Sequence, residues 1–164
     1  MRPFLIISAP RSRSFWTSTL LRCEHDPSRN WPDMKWGAFF TDGKNGVDTA
    51  VMNFDSVVAG LHSDGVRMAT LRRPAQEIAE SLVSLGIARH IAEPASVLGC
   101  ARLDMFEDAY SLPRFSSDAC SDYDEASRLF RWCRGERLSR EIWRTLSGTH
   151  LETPLLAPYR RAAA

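Results

Sequence analysis

The sequence predicts an α/β fold, a small parallel sheet flanked by helices with a helical C-terminal half. Three observations carry that expectation. A short, wholly apolar run, Phe4-Leu5-Ile6-Ile7, passes through a polar turn into a helix. A second run, Arg67-Met68-Ala69-Thr70-Leu71, does the same through Arg72-Arg73-Pro74. Beyond Gly86 the apolar residues recur mostly at helical spacing. Strand–loop–helix units in succession imply parallel strands joined by helical crossovers, with ligand at the carboxyl ends of the strands.

The first unit sets the chemistry. Phe4 to Ile7 has the pattern of a strand buried on both faces, and Pro10, which cannot donate to a sheet ladder, marks its end. Arg11-Ser12-Arg13-Ser14 follows, with Ser14 the expected N-cap of a helix beginning at Phe15. A helix N-terminus just past a strand offers free N–H groups and the positive end of a dipole. Two arginines and two serines in the same turn add charge and hydroxyl donors, which together describe an anion site. The glycines and the Lys-Ser/Thr pair of a Walker loop are absent.

After that helix comes Glu24-His25-Asp26-Pro27, an acid–imidazole–acid triplet that reads either as catalytic or as a solvated helix end. Trp31 to Trp36 is aromatic-rich, and 41–46 has turn composition. Apolar residues from Val47 to Leu61 fit a helix. Arg67 to Leu71 is the second strand, and Pro74 opens an amphipathic helix closed by Gly86. A third strand is expected near 37–40 or 149–151. Later helices are expected from Pro94 to Tyr110, from Asp124 to Trp132 with a stop at Gly135, and through Leu146 from a cap at Ser139. The whole of 1–164 is expected to form one domain, with 149–164 an extended or frayed tail.

Composition narrows the function classes. The 164 residues are 44% hydrophobic, enough for a proper core, and the net charge of +1 gives no general attraction to nucleic acid or membrane. Cys23, Cys100, Cys120 and Cys133 lack metal-binding spacing, so no metal is expected. No run approaches the ~20 apolar residues of a membrane span, and the first apolar run is too short for a signal peptide. A cytoplasmic protein with reduced thiols is the expectation.

Pro10-Arg11-Ser12-Arg13-Ser14-Phe15-Trp16 resembles the 5′-phosphosulfate loop of sulfotransferases that use 3′-phosphoadenosine-5′-phosphosulfate (PAPS). Pro10, Arg11, Ser12 and Trp16 match it, and Ser14 stands for a threonine. Arg13 takes the place of a glycine, and Phe15 that of a hydroxyl residue. A second family signature, a strand-end arginine followed eight residues later by a serine, is met by Arg73 and Ser81. The resemblance spans 4–86 well and the remainder loosely. Its closing Arg-Lys-Gly motif is missing, with Arg134-Gly135 or Arg160-Arg161 as candidate substitutes.

The resemblance implies a P-loop-like sulfotransferase architecture and transfer of a sulfuryl group from PAPS to a hydroxyl or amine of a small-molecule acceptor. By it, Arg11 neutralises the leaving oxygens, while Ser12, Arg13 and Ser14 hold the phosphosulfate. Trp16 stacks on adenine, and Arg73 with Ser81 grips the 3′-phosphate. The catalytic base is His25 or His62, with Glu24 beside them and His90 and His150 behind. The alternatives are a small nucleotide-dependent kinase and a non-catalytic scaffold or assembly protein that keeps the fold.

Overall fold

The structure, a computed structural model, describes residues 2–30, 39–40 and 44–148. The aromatic stretch 31–36, the candidate strand at 149–151, His150, Arg160-Arg161 and the expected tail lie outside the described residues.

Five strands form one all-parallel sheet in the order β2-β3-β1-β4-β5. They are β1 (Phe4–Ser8), β2 (Glu24–His25), β3 (Gly46–Asp48), β4 (Arg67–Arg72) and β5 (Arg114–Ser116). The helices are α1 (Ser14–Leu21), the single turn α2 (Pro27–Asn30), α3 (Asp55–Ser63), α4 (Ala75–Val83), α5 (Arg89–Tyr110), α6 (Tyr123–Arg134) and α7 (Arg140–Ser147). Short 3-10 turns stand at Val51–Asn53 and Ser117–Cys120.

Every residue of β1 is buried, as its unbroken apolar run requires of a central strand. Its side chains divide by pleat. Leu5 and Ile7 pack with Val58 and Leu61 of α3, Ile78 of α4 and Leu103 of α5. Phe4 and Ile6 face the other way, against Leu21 of α1 and Leu129 and Cys133 of α6. A third cluster joins Trp16 and Leu20 of α1 to Ala119, Ala126 and Leu138, with Trp143 and Leu146 of α7 against it. α1 therefore covers one face of the sheet and α4 the other.

Several sequence expectations are corrected. The periodicity from Val47 to Leu61 is not one helix, because Val47 pairs with Ile6 in β3 and the helix starts only at Asp55. The remaining strands are β2, β3 and β5, whereas Phe39-Phe40 is helical. These strands are three residues or fewer, held by their neighbours rather than by a pattern of their own. Gly46 carries a packing reason: a Cβ there would stand 2.9 Å from Pro27 Cγ, so glycine lets α2 sit against the β2–β3 edge. α1 begins at Ser14 with Arg13 as N-cap, and α5 begins at Arg89, taking in Pro94.

Candidate functional site

Strands β1 and β4 are neighbours whose following helices lie on opposite faces of the sheet. In an open α/β sheet that reversal opens a crevice at the carboxyl ends, the usual place for a ligand. The Arg11–Ser14 turn follows β1 on one side of it, and Arg73 and Ser81 stand on the β4–α4 side.

The β1–α1 loop is strained and incompletely satisfied. Arg11 and Arg13 both occupy left-handed backbone, with φ of 66° and 60°. That conformation costs a side-chain-bearing residue about 1–2 kcal/mol, and such strain gathers at functional sites. Left-handed Arg13 followed at once by right-handed Ser14 turns successive N–H groups to one side, an anion-binding concavity. The first turn of α1 adds N–H groups that have no intrahelical acceptor. Ser8 and Ser12 are fully buried, and their hydroxyls find no hydrogen-bond partner among the described residues. An orphaned buried hydroxyl costs about 1–3 kcal/mol, so two at the end of β1 call for a specific explanation.

The two sequence signatures meet here. Arg11 Nε donates to Ser81 Oγ at 3.0 Å, and Arg73 Nη1 donates to the Arg11 carbonyl at 2.7 Å. Arg73 Nε also donates to Glu77 Oε2 at 3.0 Å, which aims the guanidinium from its own helix. The neighbouring Arg72 anchors the end of β4. Its Nε meets buried Glu107 at 2.5 Å, its Nη2 bonds Asp104, and its Nη1 donates to the Cys100 carbonyl at 2.9 Å. Burial works against its charge, but Glu107 and then Asp104 outweigh that and hold its pKa above the ordinary arginine value.

His25 reaches the loop from β2. Its Nε2 lies 3.0 Å from Ser14 Oγ, and its ring meets Phe15 edge-on at 5.3 Å. Asp26 Oδ2 approaches the same nitrogen at 3.8 Å. A nucleophilic Ser-His-Asp relay needs the acid on the other ring nitrogen, so this trio is not one. Glu24 and His25 line an open cleft of about 720 Å³ with Phe15, Arg22, Lys44 and Arg134.

Two buried acids flank the site: Asp26, the last member of the triplet, and Asp48, which the sequence reading did not single out. Asp26 Oδ1 accepts from Thr49 N at 2.7 Å and from Thr49 Oγ1 at 2.8 Å. Asp48 ends β3 beside β1. Its carboxylate accepts from Ser28 N and Oγ and from the N–H groups of Ala50 and Val51, all within 2.8 Å. The signal that would have found it is Gly-Val-Asp read as a strand end rather than as a helix start.

Other expected residues are placed elsewhere. Trp16 is buried in the α1–α6–α7 cluster and donates to the Leu146 carbonyl at 3.2 Å, so it is a core residue and not a face for adenine. The Arg13 side chain turns away from the crevice to the Ser117 carbonyl and Cys120. His62 is exposed near the end of α3, its ring tilted against Tyr110 at 4.8 Å, just before β4 and so at the amino end of the parallel strands, opposite the loop that follows β1. Its role as base is therefore withdrawn. Arg134 caps the end of α1 through the Leu21 and Arg22 carbonyls and cannot serve as the closing residue over the crevice. His90 is exposed at the start of α5.

Among the described residues no cluster of three metal-ligating side chains occurs, and no helix is long and apolar enough to cross a membrane. Compared with family models, with curated proteins and with solved structures, the chain finds no match in any of the three.

Proposed function

We propose that the protein is a PAPS-dependent sulfotransferase acting on a hydroxyl or amine of a small acceptor. The observation that carries the reading is the convergence of Arg11, Arg73 and Ser81 at the β1–β4 crevice, beside the orphaned hydroxyls of Ser8 and Ser12. The loop N–H groups and Arg11 bind the 5′-phosphosulfate, and Arg73 with Ser81 takes the 3′-phosphate. The cleft beside His25 receives the acceptor, its volume falling within the ordinary range for small ligands.

In the transfer, an acceptor oxygen or nitrogen forms a bond to sulfur while the bond from sulfur to the phosphate-bridging oxygen breaks. The leaving 3′-phosphoadenosine-5′-phosphate (PAP) carries away the electron pair. His25 Nε2 takes the acceptor proton as the general base. Arg11 and the loop N–H groups stabilise charge growing on the leaving oxygens, as in phosphoryl transfer.

Phosphoryl transfer from ATP is the second reading, favoured by Asp48 at the end of the strand beside β1. Its four accepted hydrogen bonds leave its oxygens engaged in the protein rather than presented to a magnesium ion.

The test incubates the protein with sulfate-labelled PAPS and a panel of phenols, sugars and amines. Acceptor-dependent PAP release is expected, falling roughly 10²-fold or more in His25→Ala while PAP affinity changes little. Equal rates in wild type and His25→Ala would contradict the assignment of the base. Magnesium-dependent turnover of ATP, with PAPS inert, would favour the second reading.

A further inference from the structure

We propose that the outward face of α5 is a self-association surface and that a second copy of this chain covers it. At 22 residues, α5 is the longest helix among the described residues. Its inner face is buried through Ala92, Ser96, Gly99, Leu103 and Phe106, packed over the sheet. The opposite face ought to be polar in a helix that meets only solvent.

It is apolar instead. Ile91, Leu98 and Met105 are 55%, 64% and 53% exposed, and Val97 beside them is 61% exposed. Pro94 and Ala101, both exposed, fall between them. The positions 91, 94, 98, 101 and 105 alternate in steps of three and four, the spacing of a helix–helix seam. Ile87, 41% exposed, extends the stripe at its N-terminal end. Charged side chains stand at its margins, where Arg102 pairs with Asp55 and Arg89 with Glu93.

Area selects the occupant. Together these side chains offer on the order of 500 Å² of contiguous apolar surface, at the upper end of what a monomer leaves bare. Facing its own copy, the stripe buries about 1,000 Å² in total, the threshold for a specific though weak interface. A straight stripe of this spacing is complementary to itself, as a two-fold contact requires. The inner side of the same helix backs the anion loop, with Gly99 close to the Ala9 Cβ and Cys100 Sγ 3.7 Å from the Arg73 carbonyl. Pairing through α5 therefore braces the crevice from behind, yet the interface does not depend on what the crevice binds.

Leu98 lies at the middle of the stripe, so two copies bring Leu98 against Leu98 whether the helices run parallel or antiparallel. Light scattering and sedimentation of the whole chain from about 1 to 100 µM should show a reversible dimer with Kd of order 10 µM. Leu98→Glu and, separately, Met105→Glu should each weaken it at least about tenfold with unchanged circular dichroism. Leu98→Cys should form a covalent dimer on mild oxidation under conditions that leave the wild-type chain uncrosslinked. A monomer across the whole range, or a dimer that survives both glutamate variants, overturns the proposal.

Discussion

The ends of β1 and β3 lie side by side in the sheet and are finished in opposite ways. At β3, Asp48 accepts four hydrogen bonds, and nearby Asp26 accepts two from Thr49. Nothing further is needed there. At β1, two buried serine hydroxyls have no partner among the described residues, and two arginines are held in left-handed backbone. Proteins rarely leave buried polar groups unpaired, and those left so call for a specific explanation. The contrast is what supports placing the proposed ligand at β1: the β3 end has its polar groups paired, while the β1 end keeps two buried hydroxyls without a partner among the described residues.

The sharpest way to break this comparison is to remove the polar groups at each end. Asp48→Ala strips four donors of their acceptor and should cost about 3–5 kcal/mol of unfolding free energy in a urea titration. A loss below about 1 kcal/mol would show that the β3 end is not the completed structure described. The closed side extends to Cys23, just before β2. Burial, opposed by Arg134 and aided by Glu24, pushes its thiol up to about 12. The folded chain then keeps a proton that the unfolded chain releases. Stability should be full below about pH 8.5 and fall as pH rises towards 12, with Cys23 supplying up to about 1.4 kcal/mol per pH unit. Urea melts above pH 9 that are equally steep in Cys23→Ala and in wild type would remove Cys23 from this account.

Smaller effects sharpen the open end. Arg13→Gly and Arg13→Ala both lose the tie to Ser117, so their difference isolates the backbone. Glycine should be the more stable by about 1 kcal/mol, read from paired thermal melts. Ser12→Ala should leave stability unchanged or raise it by up to about 1 kcal/mol, because an orphaned hydroxyl is removed. The same variant should weaken PAP binding several-fold. Destabilisation in Ser12→Ala would mean that the hydroxyl already has a partner within the folded chain.

Much of the open end was legible in the sequence because it is locally encoded. Four apolar residues, a proline and an arginine-serine turn specify β1 and its loop without help from elsewhere, and the Arg73–Ser81 spacing follows from one strand end and one helix. The closed end was not legible. β2 and β3 are two and three residues long, and Val47, Val51, Val57 and Val58 mimic a helical period although Val47 belongs to a strand. Their strand character comes from pairing with β1, a non-local cause that periodicity cannot report. Trp16 illustrates the same limit, since the family motif suggested a ligand contact while packing against α6 and α7 claimed the ring. His62 followed sequence distance from Arg73, but it stands before β4, at the amino end of the strands, while the loop and Arg73 lie at their carboxyl ends.

In the proposed function the β1–α1 and β4–α4 junctions form one site. The measurement that tests it most directly is calorimetric titration of PAP into wild type, Arg11→Ala, Arg73→Ala and the double variant. Micromolar binding to wild type is expected, with a loss of at least about tenfold in each single variant and a double loss smaller than the sum by about 1 kcal/mol or more. Strictly additive losses, or the absence of PAP binding to wild type, would contradict it.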